Sequence, residues 1–354
     1  MDPTTRALMM GASGGSKNSN YVAVGTDTSP YIYVYPWSTT TGFGIKYPDP
    51  ATLPSSTIND ITFNLNSTAL AVALSNSPYI SVYPWSTAGF GTKYADPTTL
   101  AATFGFGVAF SSDNAALALA HDNSPYISVY LWSTATGFGT KYSDPATLPT
   151  GFGQKVTFNP SNTAIAISHS NSPYLSVYPW STATGFGTKY SDPATLPSIT
   201  GRVITFNSDG TTLAVAQTNS PRVNVYPWST AGFGTKYSDP TTTGLGNGVA
   251  FSPDNKSIAL GITGTSASYV FAWSTATGFG TKYSEPATRP TNCSRVSFSS
   301  DGKAIVFAKG AAPSSPYILA YPWSSATGFG TKYGDPSTLP TGTTTLISVK
   351  FSPS

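Results

Sequence analysis

Lysine and an acid three residues apart recur seven times along the 354-residue chain: Lys46 with Asp49, Lys93 with Asp96, Lys141 with Asp144, Lys189 with Asp192, Lys236 with Asp239, Lys282 with Glu285 and Lys332 with Asp335. In an extended strand an offset of three puts two side chains on opposite faces, so each lysine is expected to meet a neighbouring unit rather than its own acid. Two readings stand: a ring of ion pairs between units, or solvated charge worth roughly 0 to 1 kcal/mol a pair. Neither is catalytic. His121 and His169 follow "LALA" and "IAIS", where other repeats carry Leu74 or Gln217. With Asp122 they supply metal-ligand types, but no third regular ligand accompanies them; they are expected to be polar residues at loop edges, and no metal or cofactor is assigned.

Once the seven repeated acids and the turn acids Asp113, Asp209, Asp254 and Asp301 are set aside, only Asp2, Asp27, Asp60 and Asp122 remain. That is a thin supply for the paired carboxylates of an acid-catalysed hydrolase. No Ser-His-acid set is identifiable, and the repeated "GFG" lacks the helix and the Lys-Ser/Thr pair of a phosphate loop. Cys293, the single cysteine, cannot form an intrachain disulfide and is expected to be a buried, inert thiol.

These residues sit in a repeat. Trp37, Trp85, Trp132, Trp180, Trp228, Trp273 and Trp323 lie 45 to 50 residues apart, and "WSTATGFGTKYSDPATLP" is identical at 132–149 and 180–197. A second landmark is apolar-x-Phe, ending at Phe63, Phe110, Phe158, Phe206, Phe251, Phe298 and Phe351. After each but the last comes a turn such as "SPDN" or "SSDG" and a run such as "LAVA", which reads as a β-hairpin. "YISVYPW" supplies a third strand, its Pro marking an end or bulge of the ladder, with Leu131 in that place in the third repeat. "TGFG" is a turn and "TKY" a short fourth strand. Ile80, Val82, Tyr83 and Trp85 are apolar on both faces, so each small sheet must be covered on both sides by its neighbours. Seven such sheets close into an all-β, seven-bladed β-propeller with four antiparallel strands per blade. The first repeat begins at "NYVAVG", and its missing strand stands at the C-terminus as "ISVKFSPS", which is expected to complete the first blade. The expected organisation is an N-terminal arm at 1–17 and a propeller at 18–354, with repeats 18–57 plus 343–354, 58–104, 105–152, 153–199, 200–245, 246–292 and 293–342.

Charged residues make up 9% of the chain, and eighteen Lys and Arg against fifteen Asp and Glu give +3, too little for a nucleic-acid stripe. The first twenty residues lack the basic start and longer apolar core of a signal peptide, and no apolar run is long enough for a membrane helix. Neither a nucleic-acid partner nor membrane insertion is expected.

The layout is similar to WD-repeat β-propellers, although Trp is followed by Ser where that family has Asp, and no Gly-His pair precedes the first strand. "YPWSTATGFGTKYSDPATLP" and "GVAFSPDN" together resemble more closely a divergent propeller repeat of tailed-bacteriophage structural proteins, tail fibres and other virion-associated chains, over residues 18–354. The resemblance implies a noncatalytic structural component of the virion (decoration, tail or fibre-associated), assembled in the host cytoplasm. It would be a rigid disc contacting other virion proteins or adhering to a host-surface glycan. It brings no catalytic or binding residue. A carbohydrate-binding, lectin-like propeller is the alternative, followed by an intracellular scaffold and a channel-mouth hydrolase.

Function is expected where the repeat is broken. Departures just before the inner strands are Asn59, Asp60, Phe106, Gln154, Lys155, Arg202, Asn247, Ser294 and Arg295, joined by Arg222 in place of Tyr and Arg289 in place of Leu. They stand as candidate partner or ligand contacts beside the alternative of neutral drift at exposed positions.

Overall fold

Alternate residues of a single strand serve two different cores. In Ala69–Leu74, the side chains of Leu70, Val72 and Leu74 pack with Tyr21, Ile32 and Val34 of the preceding blade. Ala69, Ala71 and Ala73 pack on the other side with Val108, Leu117 and Leu119 of the following one. This is the period-2 geometry of a strand applied to a sheet with no wet face. The same division repeats around the molecule, giving seven apolar layers, one between each pair of neighbouring blades.

The computed structural model describes residues 20–100, 103–264, 268–309, 317–340 and 348–353. They form seven four-stranded antiparallel sheets and, among the described residues, no helix. The expected all-β, seven-bladed propeller is therefore the fold. Its first blade is completed by Ser348–Phe351, which pairs with Tyr21–Gly25 in the register Val22 to Phe351 and Val24 to Val349. Ser352 Oγ accepts from the N–H groups of Asn20 and Tyr21 at 3.1 and 3.2 Å, fastening the seam. The expected arm at 1–17 lies outside the described residues.

The repeated phrase is a construction element. Trp180 lies edge-on to three rings: Tyr142 of the preceding blade at 4.9 Å, Phe186 of its own turn at 5.2 Å and Phe158 of its own inner strand at 5.3 Å. Trp37 does the same across the closing seam, with Tyr333 at 5.0 Å and Phe351 at 5.1 Å. Gly185 has a φ of +80°, and a side chain there would meet the Tyr142 ring at 3.1 Å, so the turn requires glycine twice over. The Tyr142 hydroxyl donates to the Thr182 carbonyl at 2.7 Å, and the Tyr178 hydroxyl to Thr147 of the "ATLP" connection at 2.8 Å. The Trp, the glycine turn, the Tyr and the "ATLP" connection of the phrase thus join one blade to the next.

Two expectations change. The outer strand is not "TKY": it is a two-residue Gly-Phe pairing in the five blades that carry Pro36, Pro84, Pro179, Pro227 or Pro322 before the Trp. It extends through Gly137–Lys141 and Gly278–Lys282 only where Leu131 or Ala272 replaces that Pro. The missing N–H removes a ladder bond and stops the pairing. The seven lysines also pair with their own acids three residues on rather than with a neighbouring blade. Most of this segment is not in a ladder, so strand alternation does not govern it.

Trp180→Ala should lose about 3 to 5 kcal/mol by emptying a site shared by two blades, as read by chemical denaturation. Deletion of 348–354 should abolish cooperative unfolding, since it opens the ring and bares the edge of Tyr21–Gly25; an unchanged melting profile would contradict closure.

Candidate functional site

Seven inner strands converge on a central channel of about 540 Å³. Six of them carry the same irregularity, a bulge at the start of the strand: the register skips Asn59, Phe106, Gln154, Arg202, Asn247 and Ser294. A bulge re-aims the side chain that follows it. The following residues are Asp60, Gly107, Lys155, Val203, Gly248 and Arg295, with Ser348 in the equivalent place on the closing strand; all but Gly107 line the channel. Their sizes interlock. A side chain at Gly107 would stand 2.7 Å from the Lys155 Cα, and one at Gly248 would stand 3.2 Å from the Arg295 Cα. Each long cation therefore follows a glycine that leaves it room.

Asp60 is the anchor. Its side chain is almost wholly buried, and it forms an ion pair with Lys155. It also accepts from the Val108 N–H at 2.9 Å and from Ser348 Oγ at 3.1 Å, so four blades meet on one carboxylate. Arg295 donates to the Asn247 carbonyl at 3.0 Å and to its own neighbour Ser294 at 2.9 Å. Lys350 lines the channel one step further along, level with Thr62, Thr157, Thr205 and Ser297. Loss of hydration pushes the Lys155 ammonium down to about 8; Asp60 pulls it back up, while Arg295 and Lys350 push it further down. Loss of hydration also lowers Arg295, opposed by Asp60 and assisted by Arg202. Lys350 is lowered for the same reason, again with Asp60 opposing. One carboxylate thus faces Lys155, Arg295 and Lys350 in a confined space, with Arg202 adding charge beside Arg295, an excess of positive charge that favours an anion.

The candidate residues therefore separate. Asp60, Lys155 and Arg295 come together in the channel, with Arg202 within electrostatic reach. Asn247 contributes its carbonyl, and Asn59 spans to the next blade, its amide donating to Ser75 Oγ at 3.0 Å and to the Gly105 carbonyl at 2.8 Å. Phe106 stacks near Phe104 at 6.4 Å, and Gln154 is a half-buried bulge residue. Two candidates lie elsewhere: Arg222 closes its own turn by donating to the Thr218 carbonyl at 2.8 Å, and Arg289 is an exposed partner of Glu285 at 3.1 Å. Lys350 and Ser348 were not among the sequence candidates, although "VKF" sets a lysine where the other inner strands have Thr, Ala or Ser.

His121 and His169 are not loop-edge residues. Both are fully buried at the ends of second strands, Nε2 lying 3.0 Å from Ser128 Oγ and 3.1 Å from Ser176 Oγ. His169 Nδ1 also lies 2.9 Å from the Asn171 carbonyl, so the neutral ring donates there and accepts from Ser176. Burial lowers both to about 4. Among the described residues no three His, Cys, Asp or Glu side chains gather as a metal site. Cys293 is buried, and loss of hydration pushes its thiol up.

No family model and no curated protein matches the chain. Solved structures do. A periplasmic gluconolactonase from Pseudomonas aeruginosa superposes with a TM-score of 0.71 at 15% identity, over 93% of this chain and 98% of its own. Named as putative 6-phosphogluconolactonases are two proteins of Bacteroides uniformis and Bacteroides fragilis. Each has a TM-score of 0.70 and 14% identity, over 94% and 96% of this chain and 99% of its own. At this identity the likeness is one of fold. It overturns the expectation of a noncatalytic phage-particle component located in the virion. The shape is shared with proteins named as enzymes, one of them periplasmic, and the repeat phrases resembling phage proteins are accounted for by blade-to-blade packing.

The histidines set a pH dependence of stability. The unfolded chain takes up protons on both below its ordinary value of 6.5, whereas the folded ring stays neutral until about 4. Stability is therefore full above 6.5 and lost as pH falls through that window, by about 3 kcal/mol a histidine at the acid end. Replacing both by Gln, the residue at the equivalent Gln217, should flatten the melting temperature between pH 7 and pH 4. An equally steep profile in that variant would assign the acid sensitivity elsewhere.

Proposed function

We propose that this protein is a hydrolase that opens the lactone ring of a small acidic sugar derivative in its central channel. The observation that carries the reading is the gathering of Lys155, Arg295 and Lys350 around the single carboxylate of Asp60. The names of the similar structures support the choice of a lactone among anionic ligands.

The chemistry suits these residues. Water adds to the lactone carbonyl, the ring C–O bond breaks, and the ring oxygen takes a proton to become a hydroxyl. The product is a hydroxy acid, which ionises and releases a proton near neutral pH. Charge develops on the carbonyl oxygen in the transition state, and a preorganised cation aimed at it lowers the barrier. Lys155 is the cation that meets this need, because Asp60 fixes its position and the room left by Gly107 lets it lie in the channel. Arg295 and Lys350 hold the substrate's permanent anionic group. Asp60 acts through Lys155 and is a positioning residue.

Lactones also open spontaneously, so the test is proton release above the uncatalysed rate with 6-phosphogluconolactone as probe. Lys155→Gln should lower kcat/KM about 100-fold, the usual scale for removing one oxyanion-stabilising group. Arg295→Gln should raise KM more than it lowers kcat. Activity that needs the Lys155 ammonium falls as pH rises past about 8. No acceleration by the wild-type protein would overturn the reading.

A further inference from the structure

The approaches to the inner strands of blades three and four carry phenylalanines that the repeat does not call for. Phe104 and Phe152 are 45% and 52% exposed. Phe104 stacks near Phe106 with ring centres 6.4 Å apart, and Tyr126, on the turn of the same blade, lies 6.4 Å from Phe152. At the positions of Phe104 and Phe106 the other inner strands present Thr57 and Asn59, Thr200 and Arg202, or Asn292 and Ser294. Among the described residues only Leu245, 48% exposed, repeats the apolar character, and it stands alone on blade six. Among the described residues the exposed phenylalanines are therefore a local departure confined to blades three and four.

Their place adjoins the charge cluster. Phe106 directly precedes Gly107, whose missing side chain leaves room for Lys155, and Phe152 lies three residues before Lys155 on the approach to the same strand. Exposed aromatic surface is unfavourable in water and is relieved by a ligand that covers it. The patch is small: two half-exposed rings offer on the order of 200 Å², far below the roughly 800 Å² per partner of a stable protein interface. A small ligand with a flat apolar part fits it, and the neighbouring cations add charge complementarity for an acidic part.

We propose that Phe104, Phe106, Tyr126 and Phe152 form a subsite for a flat apolar group, so that the ligand of the channel is an acidic sugar derivative bearing an aryl or similarly flat substituent. The inference rests on the reading of the channel as an anion site and names the class of compound that site takes. The acidic group lies with Arg295 and Lys350, and the ring stacks on the phenylalanines.

The test compares glucuronate with 4-nitrophenyl glucuronide, two non-lactone probes that share the acid and differ in the aryl group, by titration calorimetry. The wild-type protein should bind the aryl compound about ten-fold more tightly, a typical return for one good aromatic contact with its area burial. The double variant Phe104→Ser, Phe152→Ser should bring the aryl compound down to the affinity of glucuronate, and Arg295→Gln should weaken both. Equal wild-type affinities, or a preference that survives in the double variant, overturn the subsite while leaving the anion site standing. Binding of the aryl compound that ignores Arg295→Gln also overturns it, as does the absence of binding by either probe. Absence of lactone hydrolysis together with an aryl preference that depends on the two phenylalanines overturns the hydrolase reading alone. The wild-type comparison needs no variant to fold, so the inference can fail on that arm by itself.

Discussion

Each blade of this protein is a sheet with no face of its own to give to water. Leu70 and Ala71, adjacent in one strand, belong to different cores, and the same holds in all seven blades. A four-stranded sheet built this way is unstable alone, and a row of them leaves two apolar faces uncovered at its ends. Closing the ring removes both. The pairing of Ser348–Phe351 with Tyr21–Gly25 and the contact of Trp37 with Phe351 and Tyr333 are thus the condition on which the other interfaces depend.

Closure also makes the site. Seven inner strands brought to one axis leave little room, so most channel positions are Gly, Ala, Ser, Thr or Val, and a long side chain fits only where its neighbour is small. Lys155 beside Gly107 and Arg295 beside Gly248 obey that limit. The bulges give six of these strands one residue outside the ladder, and in five the next one lines the channel. Because the inter-blade layers absorb nearly every other repeated side chain, chemistry is concentrated where the repeat is free to vary.

The fold is legible in the sequence because its signals are redundant: the Trp spacing, the apolar-x-Phe landmark and the displaced last strand all require the same ring. The site is only half legible. Asp60, Lys155 and Arg295 stand out as departures from the repeat, but nothing local says that Asp60 and Lys155, far apart in the chain, meet as an ion pair. The alternation rule hides the convergence, since a bulge reverses which residue faces the axis. The same rule misplaces the Lys46–Asp49 type of pair, which lies largely beyond the ladder because proline ends it. Lys350 is masked because the closing strand is already accounted for by its role in the fold. His121 and His169, polar by type, occupy positions where Leu74 is equally at home, and only burial explains that equivalence.

A crystal structure with 6-phosphogluconate, the hydrolysis product of the lactone probe, tests the central claim most directly. The channel reading predicts the ligand's anionic groups within hydrogen-bond distance of Lys155 Nζ and the Arg295 guanidinium, with the Lys155–Asp60 pair kept. Ligand bound on the outer rim, or a channel left to water at saturating product, would contradict it.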